Sequence, residues 1–200
     1  MKMKTFISSL FILSLALGMG LPAMAQVVGL PVMDTAGTRD PGHVEFTPGL
    51  VLGEDSNFFG ARATVTLMDE LRGFIDLGRF ETSDKGNNLA LQAGALFSMD
   101  LTEVCETALR GTVYYVNTDY QDLSGADLMF MFSGETLLDD LYGYGGAGID
   151  VSRRKVYTNH SEINPALALG LTYKFTNKFW LFLEGDYVDA PFAAIGLSIR

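Results

Sequence analysis

The chain has 200 residues and a formal charge of −10, from 24 acidic against 14 basic side chains. So acidic a balance gives nucleic acid no electrostatic footprint to bind. A single cysteine, Cys105, excludes an internal disulfide, and beyond the first 25 residues no stretch approaches the ~18 apolar residues of a helical membrane span.

Residues 1–25 read as a cleaved export signal. Lys2 and Lys4 form a positive start, Phe6 to Met19 an apolar core, and Ala23-Met24-Ala25 a small-x-small site that predicts cleavage after Ala25. The core is too short to serve as a spanning helix. No cysteine stands at the cleavage point, so no lipid anchor is expected there. Residues 26–42, with Pro31 and Pro41 and no periodicity, read as an irregular lead-in segment.

From residue 43 to residue 200 the pattern is period two, the mark of strands with one apolar face. Val44, Phe46, Leu50 and Leu52 oppose Glu45, Thr47 and Gly49 in the first strand, where Pro48 predicts a bend or bulge. In the second, Phe59 to Leu67 sets alternate apolar residues against Gly60, Arg62, Thr64 and Thr66. Met68 to Glu70 is a tight turn, after which Leu71, Ile75 and Leu77 oppose Arg72, Phe74 and Asp76. The polar run 82–87 leads to the clearest strand, Leu89 to Ser98, and a connection at 100–103 leads to a fifth from Glu106 to Tyr115.

Beyond a polar loop over 117–125, Leu128 to Ser133 is apolar on both faces, and the parity of Asp127 turns Leu128, Phe130 and Phe132 outward. The seventh strand, Leu141 to Val151, is glycine-rich, and residues 152–163 are expected to form the longest loop. Three more segments, Ala166 to Phe175, Phe179 to Tyr187 and Ala193 to Ile199, complete about ten strands, with eight as the alternative. The fold predicted is a single closed antiparallel transmembrane β-barrel, all-β, with both termini on the periplasmic side and the longer polar connections outside.

Two bands of aromatic residues support a bilayer crossing. Phe59, Tyr115 and Tyr187 fall toward one end of the strands, and Phe46, Phe97, Phe132, Tyr173, Phe175 and Phe179 toward the other. A soluble β-sandwich would put lysine, glutamate and serine on its alternate positions, whereas here those positions hold glycine, alanine, threonine and tyrosine.

Arg62, Arg72, Asp76, Arg110, Asp150, Glu184 and Asp186 all point inward by this parity. They could line a charged channel, but in a narrow lumen crowded by Tyr114, Tyr142, Tyr144, Trp180 and Phe182 they read as a network of ion pairs that fills it. Gly143, Gly145 and Gly148 spell G-x-G-x-x-G inside a strand with no helix to follow, so no dinucleotide site is read there. Arg153, Arg154 and Lys155, the only basic cluster, fall at the outer rim, where they could contact lipopolysaccharide phosphates. No metal-ligand spacing and no cofactor signature occur.

His160, Ser161 and Glu162 hold the residue types of a serine hydrolase and loosely resemble the outer-membrane lipid A deacylases. In that family the histidine and serine share a strand face, whereas here they are adjacent and face opposite ways in an extended chain. Ten-stranded outer-membrane proteases are a second comparison, but the loops here are too short for their active-site walls. The mature chain as a whole resembles the small bacterial outer-membrane β-barrel proteins, such as the transmembrane domain of outer-membrane protein A. That resemblance rests on the cleavage site, the alternating segments and the glycine-aromatic strand Tyr142 to Ile149. It implies an outer-membrane location, lipid and the barrel assembly machinery as partners, and a non-enzymatic envelope-structural or surface-interaction role, with a lipid A hydrolase or a narrow pore as alternatives. The chain ends Leu197-Ser198-Ile199-Arg200 where such proteins commonly end in an aromatic residue.

Overall fold

Alternating β-branched, aromatic and small residues favour extended backbone, and a sheet of such strands buries no free edge only if it closes on itself. The computed structural model describes residues 29–53, 56–82, 87–99, 101, 105–117, 122–155, 159–188 and 190–200. The signal sequence and its cleavage point lie outside the described residues, as do the centres of the connections expected at 82–87 and 117–125 and most of that at 100–103.

Ten strands form: β1 (Val44–Gly53), β2 (Ser56–Met68), β3 (Leu71–Thr82), β4 (Asn87–Met99), β5 (Glu106–Asn117), β6 (Asp122–Glu135), β7 (Leu141–Lys155), β8 (Asn159–Lys174), β9 (Phe179–Val188) and β10 (Ala190–Ile199). Each pairs antiparallel with its neighbour, and β1 pairs with β10 to close the barrel. The eight-stranded alternative is thereby excluded. We call the end holding the β2–β3 turn and Arg200 the lower end, and the other the upper.

The facing of every strand follows the predicted parity. On the outer wall Phe59, Leu77, Leu89, Val113, Ile149, Leu167 and Leu183 are more than half exposed, while Thr47, Arg62, Asp76, Gln92, Arg110, Asp150 and Glu184 are buried on the inner one. Even β6, apolar on both faces, turns Leu128 and Phe130 out and Met129 and Met131 in. Tyr173 and Phe175 meet edge to face, with centroids 4.9 Å apart, in the lower aromatic band.

Three expectations need correction. Residues 152–163 are not a long loop: β7 runs to Lys155 and β8 starts at Asn159, paired throughout from Ser152–Glu162 to Lys155–Asn159. Likewise β6 starts at Asp122, inside the loop expected over 117–125. Ladder hydrogen bonds are made by the backbone and do not require apolar side chains, so the end of the apolar belt is not the end of the strand. The upper connections are therefore no longer than the lower ones. At Pro48 no bulge forms: the register from Phe46–Ile199 to Gly49–Gly196 is unbroken, although pairing with β10 skips Thr47 and Pro48. The bulge lies instead between Thr66 and Met68 on β2.

Glycines make the interior possible at two places. A Cβ on Gly170 would occupy the ring of Tyr144, and one on Gly148 would strike the Leu128 carbonyl across the β6–β7 ladder. Gly143, Gly145 and Gly148 all lie within β7 with no helix following, so the G-x-G-x-x-G spacing has no nucleotide geometry.

Candidate functional site

The largest departure from expectation is the lead-in segment. Residues 29–37 lie inside the lumen, with Leu30, Val32, Met33 and Ala36 at most 2% exposed, while Thr38, Asp40, Pro41 and Gly42 are exposed at its lower end. The segment starts beside Gln92 at mid-barrel and descends until Arg39 and Gly42 donate backbone N–H bonds to the carbonyls of Asp69 and Thr66 near the β2–β3 turn. It then enters β1.

Inward-facing charges hold this segment mainly through its backbone. Arg62 pairs with Asp76 (Nε to Oδ1, 2.7 Å) and donates to the carbonyls of Val32 at 2.6 Å and Leu30 at 2.5 Å. Asp76 in turn accepts the Leu30 N–H at 3.0 Å. Glu184 accepts two consecutive N–H groups, Val32 at 3.0 Å and Met33 at 2.6 Å, together with the Tyr144 hydroxyl at 2.7 Å. Met33 adopts φ = +41°, a left-handed conformation costing a non-glycine residue on the order of 1–3 kcal/mol. The carboxylate of Glu184, gathering both N–H groups, offsets that cost.

Lower down, Arg72 grips Asp34 with two contacts of 2.8 and 2.9 Å and donates to the carbonyls of Thr35 and Gly37. Ser133 Oγ accepts the Ala36 N–H at 2.9 Å and its hydroxyl donates to the Glu106 carboxylate at 2.7 Å. Arg39 bonds Asp34 and Glu45, and Glu45 also takes the Ser198 hydroxyl and the terminal Arg200. Arg200 lies over the Trp180 ring at 3.8 Å, closing the base. Burial by itself would raise the Asp34 carboxyl, but Arg39, Arg72 and Arg200, with the Thr35 N–H, outweigh it and hold Asp34 below the ordinary carboxylate range.

The expected lumen network is thus redistributed. Of the seven inward charges, Arg62 and Asp76 form an ion pair with each other, and Asp186 shares a side-chain hydrogen bond with Glu184. Arg72 turns to Asp34 of the inserted segment, Glu184 to its backbone, Arg110 to Asp127 at 2.9 Å, and Asp150 to the Tyr114 hydroxyl at 2.9 Å. Asp186 keeps one carboxylate oxygen, Oδ2, without a hydrogen-bond partner. Sequence parity found the inward face, Glu45 included, but left Glu45 out of the charge network and missed Asp34, Arg39 and Arg200. The available signal was a surplus of inward charge together with Leu30, Val32 and Met33 in an otherwise irregular lead-in.

The basic cluster is divided by its strand. Arg153 continues the outward row of Ala147, Ile149 and Val151 and is exposed, whereas Arg154 has the inward parity of Asp150 and pairs in register with His160. The histidine is 73% exposed and 3.3 Å from Glu162, and Ser161 lies on the opposite face, so no serine–histidine contact forms. Among the described residues no group of three His, Cys, Asp or Glu side chains could hold a metal ion.

The molecule is an all-β, closed, ten-stranded antiparallel barrel, with an apolar outer wall and a segment of its own chain inside it. No protein-family model and no curated protein sequence matches it. Among solved structures it is similar to the KdgM porin (8% identity, TM-score 0.42), covering 78% of this chain and 98% of that one. It is also similar to the translocator domain of the autotransporter NalP from Neisseria meningitidis (11%, TM-score 0.41, 81% and 89% covered). A third likeness is to Ail, the attachment invasion locus protein of Yersinia pestis (15%, TM-score 0.25, 80% and 97% covered).

Proposed function

We propose that the protein is exported, loses residues 1–25, and resides in the bacterial outer membrane as a sealed, non-enzymatic barrel with an envelope-structural or surface-interaction role. The observation that carries this reading is the lumen itself: residues 29–37 occupy it and are tied to the wall by buried hydrogen bonds over much of their length. A constitutive pore needs a continuous aqueous path, and a hydrolase needs a nucleophile touching its base. Neither arrangement is favoured by this geometry.

Surface contact is assigned to the outer leaflet through Arg153. The residue stands two positions beyond Val151 on the outward face, roughly 7 Å further along the strand than the last apolar side chain. There a guanidinium meets lipopolysaccharide phosphates by charge-assisted hydrogen bonds. Insertion by the barrel assembly machinery belongs to the same reading.

Two measurements test it. The protein should fractionate with outer membranes and migrate differently by electrophoresis when boiled and unboiled; recovery as a soluble periplasmic monomer without detergent overturns the proposal. Arg153→Gln should raise sensitivity to agents that disrupt lipopolysaccharide while Arg154→Gln leaves it unchanged. Equal behaviour of the two variants removes the lipopolysaccharide contact.

A further inference from the structure

The two ladders of β8 are unequal in length. On the β7 side every residue from Asn159 to Tyr173 is paired, whereas on the β9 side pairing begins only at Ala166, opposite Val188. β9 rises no further, because Val188 pairs with Ala190 and the chain turns back there into β10. The stretch from Asn159 to Pro165, roughly 23 Å of strand, therefore stands above the β9–β10 hairpin, and among the described residues nothing pairs with its open edge. Elsewhere at the upper end neighbouring strands finish within a few residues of one another.

Alternate residues of a strand turn both backbone groups to the same side, so this edge offers a row of donors and acceptors to a further strand. Pro165, which has no N–H, stands at its foot, and no other proline interrupts the row up to Asn159. The flanking side chains add chemistry. On the outward face Ser161 is exposed and Ile163 is 73% exposed. On the other face His160 lies 3.3 Å from Glu162, and Arg154 stands across the ladder from His160. No carboxylate pairs with Arg154 among the described residues, so this face keeps an uncompensated cation.

We infer that the open edge of β8 binds an extended segment of another protein as an added strand, with an acidic side chain beside His160 and Arg154 and an apolar one beside Ile163. Backbone bonds supply the attachment and the alternating side chains the selectivity. A second copy fits less well. Two barrels upright in one membrane present this edge running in the same direction, so no symmetric antiparallel ladder forms between them. That the edge faces away from the cell rests on the outer-membrane reading above, whereas the added strand does not; binding in detergent and membrane fractionation therefore fail separately.

The test uses the folded barrel purified in detergent, with the shift between boiled and unboiled samples confirming the fold of each variant. The probe is a capped peptide of alternating valine and glutamate, and its counterpart carries lysine in place of glutamate. Binding is followed by fluorescence anisotropy and by hydrogen exchange of the backbone amides. The valine–glutamate peptide should slow exchange at the open-side amides between Asn159 and Asn164 roughly tenfold or more, and leave β2 and β3 unchanged. The lysine peptide should bind roughly tenfold more weakly. Arg154→Gln should narrow that difference, while Lys178→Gln at the lower end should not. Unchanged exchange from Asn159 to Asn164 at millimolar peptide overturns the inference, and equal affinity for the two peptides overturns the acidic partner. Protection that appears without peptide and grows with protein concentration assigns the edge to a second copy and overturns the inference as well.

Discussion

At the scale of single residues, the interior shows why buried charge is kept. Arg62 and Asp76 are 3% and 0% exposed, and each satisfies backbone groups of the inserted segment as well as its partner. Asp76→Ala therefore strands a guanidinium and orphans the Leu30 N–H at once; the expected loss is about 3–5 kcal/mol, read by urea unfolding of the folded barrel in detergent. Asp34 gives a pH signature. Its carboxyl is held below the value it has in the unfolded chain, so its stabilisation is fully present above about pH 4 and is lost as pH falls through the lower folded-state value. Stability measured from pH 6 downward should show this acid loss, and Asp34→Asn should be weaker at neutral pH yet flatter in acid; an unchanged slope in that variant would place the acid sensitivity elsewhere.

At the scale of elements, alternation was enough to orient every strand, because a one-residue slip would exchange apolar and polar faces. The register makes a direct prediction at β8. Leu169 is the centre of the outward row from Ile163 to Phe175, whereas Ala168 is buried inward. Leu169→Arg should cost about 2–4 kcal/mol in a bilayer and Ala168→Ser close to nothing, measured by reversible unfolding from vesicles; similar losses would contradict the facing. Strand ends were not legible, since Ser152, Asn159 and Glu162 pair in a ladder although nothing apolar marks them. The error mattered for function: extending β7 divides Arg153 from Arg154, a distinction that a loop would not make. The inserted segment was illegible for a deeper reason. It has no periodicity because it belongs to no helix or sheet, and its hydrogen bonds go to side chains such as Glu184 and Arg72 that lie 35 or more residues away.

At the scale of the whole molecule, wall and filling are separable parts. Ten strands enclose more room than side chains alone need, and residues 29–37 take up part of the difference. A chain lacking residues 29–42 should still show the shift between boiled and unboiled samples but conduct in planar bilayers, while the intact protein stays silent. Conductance from the intact protein equal to that of the shortened chain would mean the segment does not obstruct the path. The interrupted contact between β1 and β10 has its own consequence. Among the described residues it is the shortest strand pairing in the cylinder, and proline at 48 has no amide proton to contribute where it lapses. It also joins the two strands farthest apart in sequence, so a sheet that grows from neighbouring strands closes there last. Any machine that must open or seal this cylinder sideways would find its weakest suture there.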